Sequence, residues 1–90
     1  MEQFSLGHTC GTPGALQAIT DAEQEPREFL ARHQSGDWGD VCEEDGRENE
    51  FSLTRRLRLF SVYHTAKDVK IWVITEADRS ITTILLPEEY

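Results

Sequence analysis

The chain has 90 residues, with 17 Asp+Glu against 9 Lys+Arg for a formal net charge of −8, and a hydrophobic share of 38%. That length fits one compact domain over 1–90 and excludes two, and the apolar residues come in blocks, which argues against wholesale disorder. The carboxylate excess disfavours direct binding to nucleic acid or to anionic lipid, and no apolar run approaches the roughly 18 to 20 residues of a membrane span.

In chain order, Phe4 to Cys10 alternates loosely enough for a short strand ending at Gly11. Thr12-Pro13 then reads as a helix start: the hydroxyl can accept from an orphan amide, and the proline ring is preset to a helical φ. Ala15, Leu16, Ala18 and Ile19 give this helix a short apolar stripe, which runs out near Thr20-Asp21. Pro26 marks a second helix, with Phe29, Leu30 and His33 on one face and Gly36 as its stop. A third helix is expected over 40–54, capped by Asp37 or Asp40, with acids crowding its first turns and Gly46 weakening it.

From Arg58 the period changes to two. Leu59, Ser61 and Tyr63 oppose Phe60, Val62 and His64; Ile71, Val73 and Thr75 oppose Trp72, Ile74 and Glu76; Ile81, Thr83 and Leu85 oppose Thr82 and Ile84. Connectors near 65–69 and 77–79 are short enough for hairpins, and Pro87 terminates the last strand. The expected fold is α+β: a two-layer sandwich of order β-ααα-βββ, with three N-terminal helices packed on a three- to four-stranded antiparallel sheet. The opening strand is expected on an edge of the meander, and Trp38 in the core.

Two cysteines, Cys10 and Cys42, are too few for the disulfide framework of a small secreted domain, and the chain opens without a basic-then-apolar leader. A reducing cytoplasm is the expected setting.

The segment Gly36-Asp37-Trp38-Gly39-Asp40, then Cys42-Glu43-Glu44-Asp45, Asn49, Arg58, Ser61-Val62-Tyr63, Trp72 to Ser80 and Leu85-Leu86-Pro87-Glu88-Glu89-Tyr90, resembles a small family of bacterial proteins labelled plasmid-related. Some members of that family carry a type I restriction-modification subunit label. The likeness extends to Thr12-Pro13-Gly14-Ala15-Leu16. It implies a mobile-element setting and no activity, and a chain of this length lacks the cofactor-binding and catalytic motifs of a DNA methyltransferase.

Asp37, Asp40, Glu43, Glu44, Asp45, Glu48 and Glu50 place seven carboxylates in fourteen residues, opposed by Arg47 alone, for a local charge of −6. On a helix, Asp40, Glu44 and Glu48 recur about 6 Å apart along one face, comparable to successive phosphates of a nucleic acid strand. Such a ridge suits a basic protein surface that normally holds nucleic acid. An ordinary solvated face, with acids favouring the helix N-terminus, is the plainer account of the same residues.

Other chemistry is weaker. His8, Cys10, His33, Cys42 and His64 lack the paired short spacings of a zinc site, so no metal or cofactor is expected, and buried thiols are. Cys42 sits beside Glu43 and Glu44, which oppose thiolate formation, and Ser61 with His64 lacks a nucleophile elbow. Gly7, Gly11 and Gly14 do not match a phosphate-binding loop.

The expected function is therefore a non-catalytic, acidic accessory protein of a mobile element. It would bind and inhibit a host nucleic-acid-handling complex, in the anti-CRISPR or anti-restriction sense. The alternative is a structural or regulatory module that forms a homodimer through its sheet, with no inhibitory role.

Overall fold

A computed structural model describes residues 2–90. The elements are β1 (His8–Gly11), α1 (Pro13–Asp21), α2 (Pro26–Gln34), α3 (Glu43–Arg55), β2 (Leu59–His64), β3 (Lys70–Thr75) and β4 (Ile81–Leu85), followed by a 3-10 turn (Pro87–Glu89). The α+β class and the order β-ααα-βββ match the pattern read from the sequence. The sheet, ordered β1-β4-β3-β2, is mixed and not antiparallel throughout. β2-β3-β4 is the antiparallel meander, but β1 runs parallel to β4, with Cys10 beside Thr83 and Gly11 beside Ile84.

The parallel pairing of β1 follows from the helical layer. β1 ends beside Ile84, whereas β2 begins at Leu59, which lines up through Thr75 with Thr82 at the opposite end of the sheet. The three helices therefore return the chain across the sheet as a parallel crossover. Residue alternation assigns faces and is silent about this direction.

α1 starts as its residues dictate: the Thr12 hydroxyl accepts from the Ala15 amide, and Pro13 opens the helix. The Glu89 carboxylate also accepts from the Thr12 hydroxyl and from the Gly14 amide, tying the C-terminal turn to the α1 N-terminus. The inward faces of α1 and α2 supply Ala15, Ile19 and Phe29, which pack with Tyr63, Ile71, Val73 and Ile84 as one apolar core. Trp38 is buried at its side, near His33 and under Phe4. On the opposite face, Phe60, Trp72 and Tyr90 meet edge to face, with ring centroids 5.1 and 5.8 Å apart.

α3 is attached differently. Of its thirteen residues, those buried are Asn49 and Ser52, both polar, while Phe51 is half exposed. The Asn49 amide donates to the Phe60 carbonyl at 2.6 Å, and its oxygen accepts from the Phe60 amide at 3.0 Å, so one side chain imitates a neighbouring strand. Two residues on, the Val62 amide donates to the Trp38 carbonyl and the Val62 carbonyl accepts from the Asp40 amide. The outer edge of β2 is thereby closed.

The other end of α3 is clamped by Arg79, a buried cation in the hairpin between β3 and β4. Its guanidinium donates to the carbonyls of Ser52, Leu57, Glu76 and Ala77 at 2.7–3.2 Å. A cation at a helix C-terminus suits the macrodipole, and the four acceptors replace lost hydration. Arg79 holds this place with φ at +63°, a conformation that favours glycine, and its side-chain bonds offset the strain.

Asn49→Ala removes both edge bonds and leaves the Phe60 amide and carbonyl facing a helix instead of water. The expected loss is about 1–3 kcal/mol in urea denaturation, whereas Glu48→Ala, one residue away on the exposed face, is expected to change stability by less than about 0.5 kcal/mol.

Candidate protein interface

The third helix begins at Glu43, three residues later than the sequence suggests. Its cap is Cys42, whose sulfur accepts from the Asp45 amide, and neither Asp37 nor Asp40 serves. Both aspartates lie in the segment before the helix and have other partners. Asp37 takes the Arg32 Nε at 2.7 Å and accepts from the Gly39 amide, and the guanidinium beside it holds its carboxyl below the usual range. Asp40 accepts from His64 Nδ1 at 2.7 Å, across from the β2 strand. The four-residue ridge of Asp40, Glu44 and Glu48 thus loses its first member.

The remaining acids divide by direction. Glu50 accepts from the buried Trp38 Nε1 at 2.9 Å and helps seat the indole. Glu43, Glu44, Asp45 and Glu48 are exposed on the helix, with Glu43 bonded to Arg47 one turn on. Three acids in the first turn, Glu43, Glu44 and Asp45, also favour the helix N-terminus. Apart from Arg47, which pairs with Glu43, the nearby arginines at 55, 58 and 79 leave this group unneutralised. Arg58 pairs with Glu76 and Tyr90, Arg55 lies over Phe51, and Arg79 is held by carbonyls. Asn49 and Ser52 fix which side of α3 meets the sheet; Glu43, Glu44 and Glu48 stand off that stripe, Asp45 lies on it four residues before Asn49, and all four are exposed to solvent.

Among the described residues no group of three or more His, Cys, Asp or Glu side chains is placed to hold a metal ion. Both thiols, expected to be buried, are exposed: Cys42 as a helix cap, and Cys10 on β1, 3.4 Å from the Thr83 hydroxyl. A strand of four residues at a sheet edge has no layer above it to cover such a side chain.

Ser61 pairs with a histidine, though not the one next to it in the strand. His33 and Ser61 are fully buried, with Ser61 Oγ 2.5 Å from Nδ1 and Thr75 Oγ1 2.9 Å from Nε2. The proton order follows from the far end. Thr82 Oγ1 donates to the Leu6 carbonyl, which can only accept, so it accepts from Thr75; Thr75, its proton spent, accepts from His33 Nε2–H. Nδ1 then carries the lone pair and accepts from Ser61. The relay fixes a neutral tautomer and joins α2 to β2, β3, β4 and the N-terminal segment. With no exposed atom, Ser61 is a structural donor and not a nucleophile. Comparisons with family models, with curated proteins and with solved structures returned no match.

Burial, together with the nearby Arg79 charge, lowers the His33 pKa to about 3, against about 6.5 when unfolded. Between those values the unfolded chain binds the extra proton, so stability is full above about pH 6.5 and falls as the pH drops toward 3. Urea denaturation is expected to show a loss of about 2 kcal/mol between pH 8 and pH 5. This loss is expected to be absent in His33→Gln, which keeps a donor and an acceptor but does not titrate.

Proposed function

We propose that the chain is a non-catalytic binding protein of a mobile element, which docks the exposed side of α3 on the basic surface of a host nucleic-acid-handling complex and inhibits it. The observation that carries this reading is the orientation of α3. Its buried side is spent on Asn49 and Ser52, while Glu44, Asp45 and Glu48 make no ion pair among the described residues and stand in solvent beside Glu43. A cationic groove that meets them gains Coulomb attraction and releases the counterions it holds when empty. The resemblance to plasmid-related proteins agrees with a mobile-element setting, and the burial of Ser61 and His33 favours binding over catalysis.

The docking group in this proposal is Glu43, Glu44, Asp45 and Glu48, with Asp37, Asp40 and Glu50 supporting its base. Asp37 and Asp40 brace the segment that leads into the helix through Arg32 and His64, and Glu50 holds Trp38. Their charge adds to the field, but their oxygens are already engaged.

The test is inhibition of DNA cleavage by a guided nuclease and by a restriction endonuclease, each with the protein titrated in at low and high salt. Inhibition is expected at low salt, weakening steeply as salt rises, and Glu44→Lys/Asp45→Lys/Glu48→Lys is expected to abolish it with an unchanged circular dichroism spectrum. Inhibition that survives the triple reversal contradicts the docking of α3.

A further inference from the structure

The two edges of the sheet are not alike. On β2 the outward backbone groups are taken by Asn49 and by residues 38–40. On β1 they are free. The amides of His8 and Thr12 donate to Ser80 and Ile84, on the β4 side. In a parallel ladder alternate residues turn both backbone groups to the same neighbour, so the N–H and C=O of Thr9 and Gly11 point away from the sheet. Among the described residues no strand lies there. His8-Thr9-Cys10-Gly11 carries none of the charges, prolines or bulges with which proteins blunt an open edge.

We propose that β1 pairs with β1 of a second copy of this chain, antiparallel and centred on Cys10, joining two four-stranded sheets into one of eight. A two-fold axis normal to the sheet keeps equivalent residues on equivalent faces. Facing residues must then have numbers with an even sum, because side chains alternate. With Thr9 and Gly11 turned outward, Thr9 opposite Gly11 of the second copy satisfies that rule and uses the whole strand. Each Thr9–Gly11 pair exchanges two backbone hydrogen bonds, and the axis doubles them. Cys10 then faces its own equivalent at the site between hydrogen-bonded pairs, where Cα atoms lie about 4.5 Å apart, inside the roughly 4.4 to 6.8 Å range of disulfides.

The surroundings favour a second copy over a charged foreign strand. Beside the edge lies a shallow apolar cavity of about 170 Å³, lined by Leu16, Pro26 and Leu30 with Thr9, Gly11 and Ile84. Neither strand nor cavity presents a formal charge to pair with an acidic or basic peptide. For a chain of net charge −8, a strand with no carboxylate of its own, across the sheet from α3, limits the repulsion between two copies. The acidic flank lies beyond β2, at the other side of the sheet. In the eight-stranded sheet the two β2 strands are more than about 30 Å apart at a strand spacing of about 4.8 Å, several Debye lengths at physiological salt. This pairing does not depend on the reading of α3, which stays exposed at both ends.

Sedimentation across the micromolar-to-millimolar range, with reductant present, is the test. A dimer is expected that persists at high salt. Thr9→Pro removes an outward N–H and leaves the bonds to β4 intact, so it is expected to weaken the dimer by roughly tenfold or more, at about 1 kcal/mol for each of two symmetric hydrogen bonds. A second measurement uses diamide, which accepts the two electrons and two protons released when two thiols join. Cys42→Ser is expected to cross-link to a dimer, and Cys10→Ser is not. A monomer at every concentration overturns the proposal and leaves the edge to a foreign strand; so does a dimer that tolerates Thr9→Pro in a folded protein, or one cross-linked through Cys42.

Discussion

The attachment of α3 to the sheet is the constraint from which the rest of the surface follows, and it is made with polar groups. An amphipathic helix usually adheres through an apolar stripe. In α3 the buried residues are Asn49 and Ser52, held by the paired bonds to Phe60 and by the Arg79 guanidinium at the helix C-terminus. Polar contacts of this kind are directional. Sliding or rotating the helix would orphan the Phe60 amide and carbonyl together with a buried cation, whereas an apolar stripe tolerates such motion.

Two properties of the surface depend on that attachment. With Asn49 turned inward, Glu43, Glu44 and Glu48 lie off the buried stripe and Asp45 is exposed in the first turn, so α3 carries a group of four solvent-facing carboxylates. The same side chain closes β2, leaving β1 as the free edge. Charge and backbone pairing capacity are thus placed at opposite sides of one small sheet. If both surfaces are used, the paired molecule presents two acidic helices at its far ends, a bivalent arrangement in which a partner with two basic sites gains avidity without new contacts.

Much of the fold was legible because its signals are local. Thr12-Pro13, Pro26 and Gly36 bound the first two helices as their capping chemistry dictates, Trp38 is in the core, and the two-residue alternation from Leu59 to Leu85 assigns nearly every sheet residue to its face. What local signals do not carry is what joins residues distant in the chain. The direction of β1 depends on where the helices return the chain. Arg79 reads as an ordinary turn residue until the carbonyls of Ser52 and Leu57 are brought to it, and His33 reads as one more residue on a helical face until Ser61 and Thr75 close around it. The acidic segment was visible as composition, but its division was not. Asp37 and Asp40 leave the helix because Arg32 and His64 engage them, and Cys42 supplies the cap.

Amide hydrogen exchange of the wild-type protein under dilute, reducing conditions tests the polar attachment of α3 most directly. Phe60 and Val62 lie on an outermost strand, yet their amides are bonded to Asn49 and to Trp38; the account predicts protection close to that of β3, with the amides of Thr9 and Gly11 exchanging rapidly. Exchange at Phe60 and Val62 as fast as at Thr9 would contradict it, since α3 would then not be pinned to the sheet and its acids would have no fixed direction.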